Sequence, residues 1–277
     1  MSTKRLLAAA AVATTIALAA TGCSTAVSAE PDTAADGVVA LNVGSMFPAT
    51  EILQYVIDTQ ADEANLEIEI TEFSEYVTPN ASLEDGSLDA NLYQHRPFLD
   101  NFNTEHGSHL VAVGEVYFPA LALYSKTLDS VDEIPNGSTI SIPADPTNQL
   151  RSLELLEKAE LITLKDGAAG VADIDENPKK LQFQELDAAT LPRALEDVDA
   201  GIVNLVYALP AGLTGKDQIF QEDIDGTPYT NLLAVKDGNE TNPGIKKLYE
   251  LLTSAETQKF IDTEFNGLVI PAGGSAE

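Results

Sequence analysis

Cysteine is almost missing: Cys23 is the single one in 277 residues, so the chain closes no internal disulfide and offers no cysteine cluster for zinc. Tryptophan is absent, methionine occurs twice and histidine three times. Positive charge is scarce too, with 15 Lys and Arg against 44 Asp and Glu and a formal net charge of −29. Such a chain repels a polyphosphate, and nucleic acid is not an expected partner. The signatures of common catalytic sites are missing as well. There is no Gly-x-Ser-x-Gly elbow, no Gly-x-x-x-x-Gly-Lys phosphate loop and no Gly-x-Gly-x-x-Gly turn. His106 and His109 stand three apart and can touch one metal, or simply belong to a polar helix end; without a nearby cysteine no metal or cofactor is expected.

What is present begins at the N-terminus. Lys4 and Arg5 precede an uncharged stretch, Leu6–Ala20, that ends in Ala20-Thr21-Gly22-Cys23, which reads as a signal peptide over residues 1–22. Its apolar core falls short of the roughly 20 residues that span a bilayer, so no transmembrane helix is expected in the mature chain. Cys23 stands where a lipoprotein signal carries its acylated residue and the segment resembles a lipobox, with Ala20 in place of the usual leucine. The alternative is a plain signal peptide with an incidental cysteine. A lipid on Cys23 would hold the protein at a membrane surface, extracytoplasmic and without insertion, and residues 23–36 read as that anchor with a flexible tether. Removing residues 1–22 takes away two bases and no acid, so the formal charge moves from −29 to −31. That favours solubility and says little about a ligand.

From Val38 onward short apolar, β-branched runs alternate with helical patterns, which predicts an α/β fold with largely parallel sheets. Strands are expected over Val38–Val43, Leu66–Ile70, Leu88–Leu92, Thr139–Ile142, Leu181–Gln184, Ile202–Val206 and Asn231–Val235, with an extended stretch over Tyr117–Tyr124. Helices are expected over Glu51–Thr59, Pro79–Asp85 with Gly86 as its stop, Pro146–Ala159, Leu191–Leu195, Pro243–Thr253 and Ala255–Phe265. A faint echo links Leu83-Glu84-Asp85-Gly86-Ser87-Leu88-Asp89-Ala90 to Leu195-Glu196-Asp197-Val198-Asp199-Ala200. It is chance, or the mark of two lobes of similar construction, between which a ligand would sit at the strands' carboxyl ends.

Asp145-Pro146-Thr147-Asn148-Gln149-Leu150-Arg151 carries the most chemistry. Asp145 can cap a helix that starts at Pro146, which puts Asn148 and Arg151 on one face of its first turns beside free N–H groups. A carboxylate would bind well there, with Arg151 able to form a bidentate fork; an ordinary capped helix with a surface arginine is the other reading. In Asn91-Leu92-Tyr93-Gln94-His95-Arg96-Pro97-Phe98, expected just past a strand, and at Tyr76, aromatic rings can line an apolar pocket or belong to the core. Asn204 and Asn231 stand beside expected strands and can bind a ligand's head group or satisfy a loop.

These residues resemble the NlpA family of methionine-binding lipoproteins, the substrate-binding components of methionine ABC importers. The likeness runs from about Val38 to Ala272 and rests on Tyr76-Val77-Thr78-Pro79-Asn80, Leu88-Asp89-Ala90-Asn91, Gln94-His95-Arg96-Pro97-Phe98-Leu99, Asn103-Thr104-Glu105-His106-Gly107, Leu123-Tyr124-Ser125-Lys126, Asp145-Pro146-Thr147-Asn148, Glu176-Asn177-Pro178 and Thr227–Asn231. It implies a two-lobed, type II periplasmic-binding-protein fold with two crossover strands, residues 37–120 and 229–273 forming one lobe and 121–228 the other. It further implies an importer's permease and ATPase subunits as partners, no cofactor and no enzymatic activity. By position, Tyr76, Tyr93, His95 and Phe98 would enclose the side chain of a methionine, Asn148 and Arg151 would hold its carboxylate, and Asn204 and Asn231 would fix its head. Departures bear on the ligand: Met46-Phe47-Pro48-Ala49-Thr50 lacks a family histidine, and Ala144, Leu150 and Val206 replace a family asparagine, small residue and polar residue. They leave open a related amino acid, a methionine derivative or a short methionine-containing peptide. Two rival classes remain, an anchored enzyme using His95 as a base and a surface adhesin that has lost its ligand.

Overall fold

A computed structural model describes residues 37–224 and 226–272. The signal peptide, Cys23 and tether expected over residues 1–36 lie outside the described residues, as do Asp225 of the expected turn and residue 273. The strands are β1 (Val39–Ser45), β2 (Leu66–Glu72), β3 (Ala90–His95), β4 (Leu110–Pro119), β5 (Ala122–Tyr124), β6 (Thr139–Pro143), β7 (Thr163–Leu164), β8 (Ile174–Glu176), β9 (Gln182–Leu186), β10 (Ala200–Val203), β11 (Gln218–Gln221), β12 (Asn231–Lys236) and β13 (Val269–Pro271). The α-helices are α1 (Ala49–Val56), α2 (Thr78–Asp85), α3 (Arg96–His106), α4 (Pro146–Lys158), α5 (Leu191–Ala194), α6 (Leu205–Ala208), α7 (Pro243–Leu252) and α8 (Ala255–Glu264).

Two sheets organise the two-lobed fold. The first runs in the order β13-β4-β12-β3-β1-β2 and the second β11-β5-β10-β6-β9. β1 is parallel to β2 and β3, and β6 is parallel to β9 and β10. The rest of each sheet is antiparallel: β12 lies between β3 and β4 and opposes both, and β5 opposes β10 and β11. The expectation of largely parallel sheets therefore describes only half of each. A strand that enters a sheet directly from the other lobe has no crossover helix to reverse it, so it joins antiparallel. The chain leaves the first sheet at Pro119, enters the second at Ala122, leaves it at Gln221 and returns at Asn231.

Each sheet is covered by the apolar stripe of its helices. Ile52, Leu53 and Val56 of α1, Ile245, Leu248 and Leu252 of α7 and Ile261 of α8 close over Leu41, Val43, Leu92 and Leu233. Around the second sheet Leu153, Leu155 and Leu156 of α4 meet Ile140, Ile142 and Ile202. Helix α2 stops at Gly86, whose φ of 85° is a left-handed conformation that glycine adopts without strain.

The faint echo in the sequence is a shared structural device. Asp89, just before β3, accepts the Asn42 N–H of neighbouring β1 at 2.7 Å and donates its own N–H to the Asn42 carbonyl at 2.9 Å. Asp199, just before β10, does the same with Thr139 of β6, at 2.8 and 3.2 Å. In both sheets an aspartate locks the register of a central parallel pair whose next residue, Ala90 or Ala200, is fully buried.

Some boundaries move. β3 begins at Ala90 and runs to His95, so Tyr93 and His95 are strand residues and not a loop beyond it. Polar Asn91, Gln94 and His95 obscure an element whose six residues are all buried. β10 ends at Val203, and Val206 stands in α6.

The acid excess has a consequence for stability. Among the described residues there are four ion pairs, Arg96–Asp100, Arg151–Glu222, Lys236–Glu84 and Lys247–Glu250, against 44 acidic residues in the chain. Most carboxylates therefore repel one another without a local cation, and added salt screens that repulsion over a Debye length of roughly 10 Å at 0.1 M. The thermal unfolding midpoint should rise as sodium chloride is raised from 10 mM to 0.5 M. A flat or falling midpoint in calorimetry would show that self-repulsion does not limit this fold.

Candidate functional site

The carboxyl ends of β3 and β10, the start of α4 and the two chain crossings face one cavity. Residues two apart on a strand share a face, so Tyr93 and His95 of β3 point the same way, and Asn231 on β12 is registered opposite His95. His95 is also the N-cap of α3: its Nδ1 accepts the Phe98 N–H at 3.2 Å, which brings Phe98 to the same wall. With Nδ1 accepting, the ring proton sits on Nε2, which donates to Asn148 Oδ1 at 3.4 Å. All eight residues expected at a ligand site, Tyr76, Tyr93, His95, Phe98, Asn148, Arg151, Asn204 and Asn231, line this cavity. The empty space, counted with its open mouth, is about 460 Å³.

One end is aromatic. Tyr76 lies between β2 and α2 with its ring 5.6 Å from Phe98, 6.3 Å from Tyr93 and 5.3 Å from Tyr207 of α6. Tyr93 Oη donates to the Tyr76 carbonyl at 2.9 Å, fixing both rings. Burial, first of all, pushes the hydroxyls of Tyr76 and Tyr93 well above the usual tyrosine range, so both stay neutral.

The other end is polar, and its wiring differs from the arrangement expected of the first turns of α4. Asp145 caps that helix, accepting the Asn148 N–H at 2.9 Å, and also takes both of its carboxylate oxygens to Asn148 Nδ2, at 3.1 and 3.2 Å. Asn148 Oδ1 accepts from Asn204 Nδ2 at 2.8 Å. The Asn148 amide is thus engaged at both ends. Asn204 Oδ1, by contrast, is buried and has no hydrogen-bond partner among the described residues. Asn231 Nδ2 donates to the Tyr93 carbonyl at 2.8 Å and to Tyr117 Oη at 2.9 Å.

Arg151 is no surface arginine: it is 2% exposed. Its Nε donates to Glu222 Oε1 and Oε2 at 3.2 and 3.1 Å, its Nη2 reaches Glu222 Oε2, and Nη2 also donates to the Pro119 carbonyl at 2.8 Å. Tyr229 and Phe118 lie against the guanidinium, with ring centres 4.8 and 5.5 Å from Cζ. One edge of the fork is therefore filled from within the protein. Nη1 makes no hydrogen bond among the described residues and is the end of the fork without an internal partner.

Gln94, Pro119 and five apolar residues, Phe47, Pro48, Leu121, Leu205 and Val206, complete the lining. Phe47, Pro48 and Val206 stand in the sequence only as departures from the family that bear on the ligand, Leu121 and Leu205 as ordinary apolar positions, and Glu222 as one acid among many. The His106 ring stacks on Phe102 with centres 4.2 Å apart and places Nδ1 3.1 Å from the Phe102 carbonyl at the end of α3. That is the polar helix end of the two alternatives.

A cavity between two α/β lobes, polar at one end and aromatic at the other, defines a solute-binding protein. The chain belongs to the NlpA lipoprotein family, whose model matches residues 41–273. It is 40% identical over 235 residues to the D-methionine-binding lipoprotein MetQ of Escherichia coli K12, covering 83% of this chain and 85% of that protein. It is 41% identical over 227 residues to the outer membrane lipoprotein 3 of Mannheimia haemolytica, covering 80% and 86%. Among solved structures, a nutrient binding protein of Burkholderia cenocepacia bound to methionine superposes with a TM-score of 0.80 at 40% identity, covering 84% of this chain and 99% of that one.

His95 gives the site a testable pH signature. Burial, with the Arg151 guanidinium as the second cause, lowers its pKa to about 3. The unfolded histidine takes up a proton below about pH 6.5 and the folded one does not until about pH 3. Its contribution to stability is thus complete above pH 6.5 and is lost as pH falls toward 3. Urea titrations should show that His95→Gln flattens the pH dependence of unfolding free energy between pH 6 and 4 by about 1.4 kcal/mol per pH unit. Parallel curves for the variant and the wild type would contradict a neutral His95.

Proposed function

We propose that this protein is the substrate-binding component of an ABC importer and takes methionine into the cleft between its lobes. The observation that carries the reading is the division of the cavity. Its polar end offers the unfilled Nη1 of a buried arginine and the partnerless Oδ1 of Asn204, a donor for a carboxylate and an acceptor for an ammonium. Its other end presents Tyr76, Tyr93 and Phe98, rings against which a thioether packs favourably. The methionine-bound relative and the family's names support the same ligand.

Residues 37–120 with 229–273 are proposed as one lobe and 121–228 as the other. A zwitterion touching Asn231 and His95 on one side and Arg151 and Asn204 on the other has higher affinity for the closed form, so binding shifts the population toward closure. The closed protein would then engage permease and ATPase subunits. Binding needs no covalent chemistry, and a histidine as weakly basic as His95 runs against the alternative in which it acts as a base. The anchor is proposed to be a lipid on Cys23, which would hold the domain outside the cytoplasm at a membrane surface.

Removing Arg151 outright would leave the buried Glu222 carboxylate without an opposite charge, which costs about 3–5 kcal/mol, so alanine is a poor probe of binding there. Arg151→Lys keeps the charge and removes the free fork end, and Asn204→Ala removes the open acceptor. Each should weaken L-methionine binding at least tenfold in calorimetry, and wild-type affinity in both would refute the site. Cys23→Ser should abolish labelling by radioactive palmitate and move the protein from the membrane to the soluble fraction. Retained label and membrane association would refute the anchor.

A further inference from the structure

Glu222 lies on the return crossing, immediately after β11, and joins three parts of the molecule. Its N–H donates to the Leu121 carbonyl at 2.8 Å, and its Oε2 accepts the Leu121 N–H at 3.2 Å, so it ties the two crossings together. The same carboxylate fills the Nε–Nη2 edge of Arg151, with 4% of its side chain exposed. Any ligand carboxylate on Nη1 would therefore share one guanidinium with a second carboxylate, in a site largely closed to water.

We propose that Glu222 sets the charge the cavity accepts, making Arg151 a receptor for zwitterions and not for simple anions; this rests on the reading of the cavity as an amino-acid site. Arg151 alone would attract any carboxylate. Paired with Glu222 it carries no net charge, and among the described residues no other arginine and no lysine lines the cavity. His95 stays neutral, and Asp145 adds a further carboxyl group close enough to Tyr76, as Arg151 is, to act on its hydroxyl. A bare carboxylate would leave the site with an excess of negative charge. An α-amino acid brings its own cation, and the partnerless Asn204 Oδ1 is an acceptor for it. Glu222 is thus a positioning residue in two senses, orienting the fork so that Nη1 is the free end and cancelling its charge.

The test compares L-methionine with 4-(methylthio)butanoate, the same molecule without its amino group, by calorimetry on the purified protein. The wild type should bind the deaminated analogue at least 100-fold more weakly than methionine. In Glu222→Gln, which keeps size and an acceptor but removes the charge, that ratio should shrink at least tenfold, about 1.4 kcal/mol. Glu222→Asp, which keeps the charge, should hold the wild-type ratio within threefold even if both affinities fall. A merely structural role would weaken the two ligands alike, so an unchanged ratio in a folded Glu222→Gln overturns the proposal. So does a wild type that binds the analogue within tenfold of methionine, a result that stands even if Glu222→Gln fails to fold. Absence of methionine binding by the wild type would overturn the amino-acid reading beneath it, whereas tight methionine binding with an unshifted ratio sinks only the role of Glu222.

Discussion

A guanidinium taken out of water has to be paired, and the cleft is built around that requirement. Arg151 belongs to α4, packed on the second sheet, but its partners come from the chain crossings: Phe118 and Pro119 on the way out, Glu222 and Tyr229 on the way back. The polar end of the cavity is therefore bolted to the connection between the lobes. Isolated buried charges are costly, and this one is tolerated because the ion pair, the Pro119 carbonyl and the Tyr229 and Phe118 faces leave only Nη1 without a partner. A group so constrained loses little further freedom on meeting a ligand.

The same economy governs the opposite wall. At the end of β3, His95 caps α3 through Nδ1 and faces Asn148 across the cleft through Nε2. Nδ1 can accept only while the ring is neutral, and burial, with the Arg151 guanidinium as the second cause, keeps it so. Behind it Asn80, Asn91 and Gln94 close a ring of amide hydrogen bonds of 2.6–2.9 Å in which every amide has a partner. That ring, closed by Asn80 of α2, explains how β3 carries two amides and an imidazole through a core position: a fully satisfied network fixes the strand's orientation where apolar packing would not.

The fold class was legible because its signals are local. Apolar runs, Pro146 behind Asp145 and Gly86 behind α2 mark their elements wherever the rest of the chain goes, and the structure realises each of them. Strand direction was not, since β12 and β5 owe their antiparallel placement to where the chain re-enters a sheet. The eight expected site residues do come to one cavity, but family likeness and helix geometry assigned them donors without their internal partners. Asn148, expected by resemblance to hold a carboxylate with Arg151, is tied to Asp145, Asn204 and His95. Glu222 stands 71 residues from Arg151, and no spacing rule reaches that far. A buried carboxylate can be recognised only when its arginine is seen to be buried as well.

Beside the crossings the proposed lobes are joined by Tyr229 Oη, which donates to Glu154 Oε2 at 2.7 Å, and by Arg151 Nη2, which donates to the Pro119 carbonyl at 2.8 Å; across the cleft itself the side-chain hydrogen bonds are longer. Across the cleft His95 meets Asn148 at 3.4 Å and Tyr207 Oη meets the Ser74 carbonyl at 3.5 Å, both at the long limit of a hydrogen bond, with the Tyr76–Tyr207 ring contact beside them. Bonds this weak cannot commit the protein to closure, which suits a carrier that must also open. The decisive contribution must come from what fills the cavity, through differential contacts with groups on both walls. Asn204 Oδ1 and Arg151 Nη1 belong to residues that line the cavity and have no hydrogen-bond partner among the described residues, and on the proposed reading a ligand that satisfies them while touching the aromatic rings opposite removes the cost of leaving them bare. Closure is then driven by unfinished hydrogen bonding inside the cleft, with little demanded of its rim.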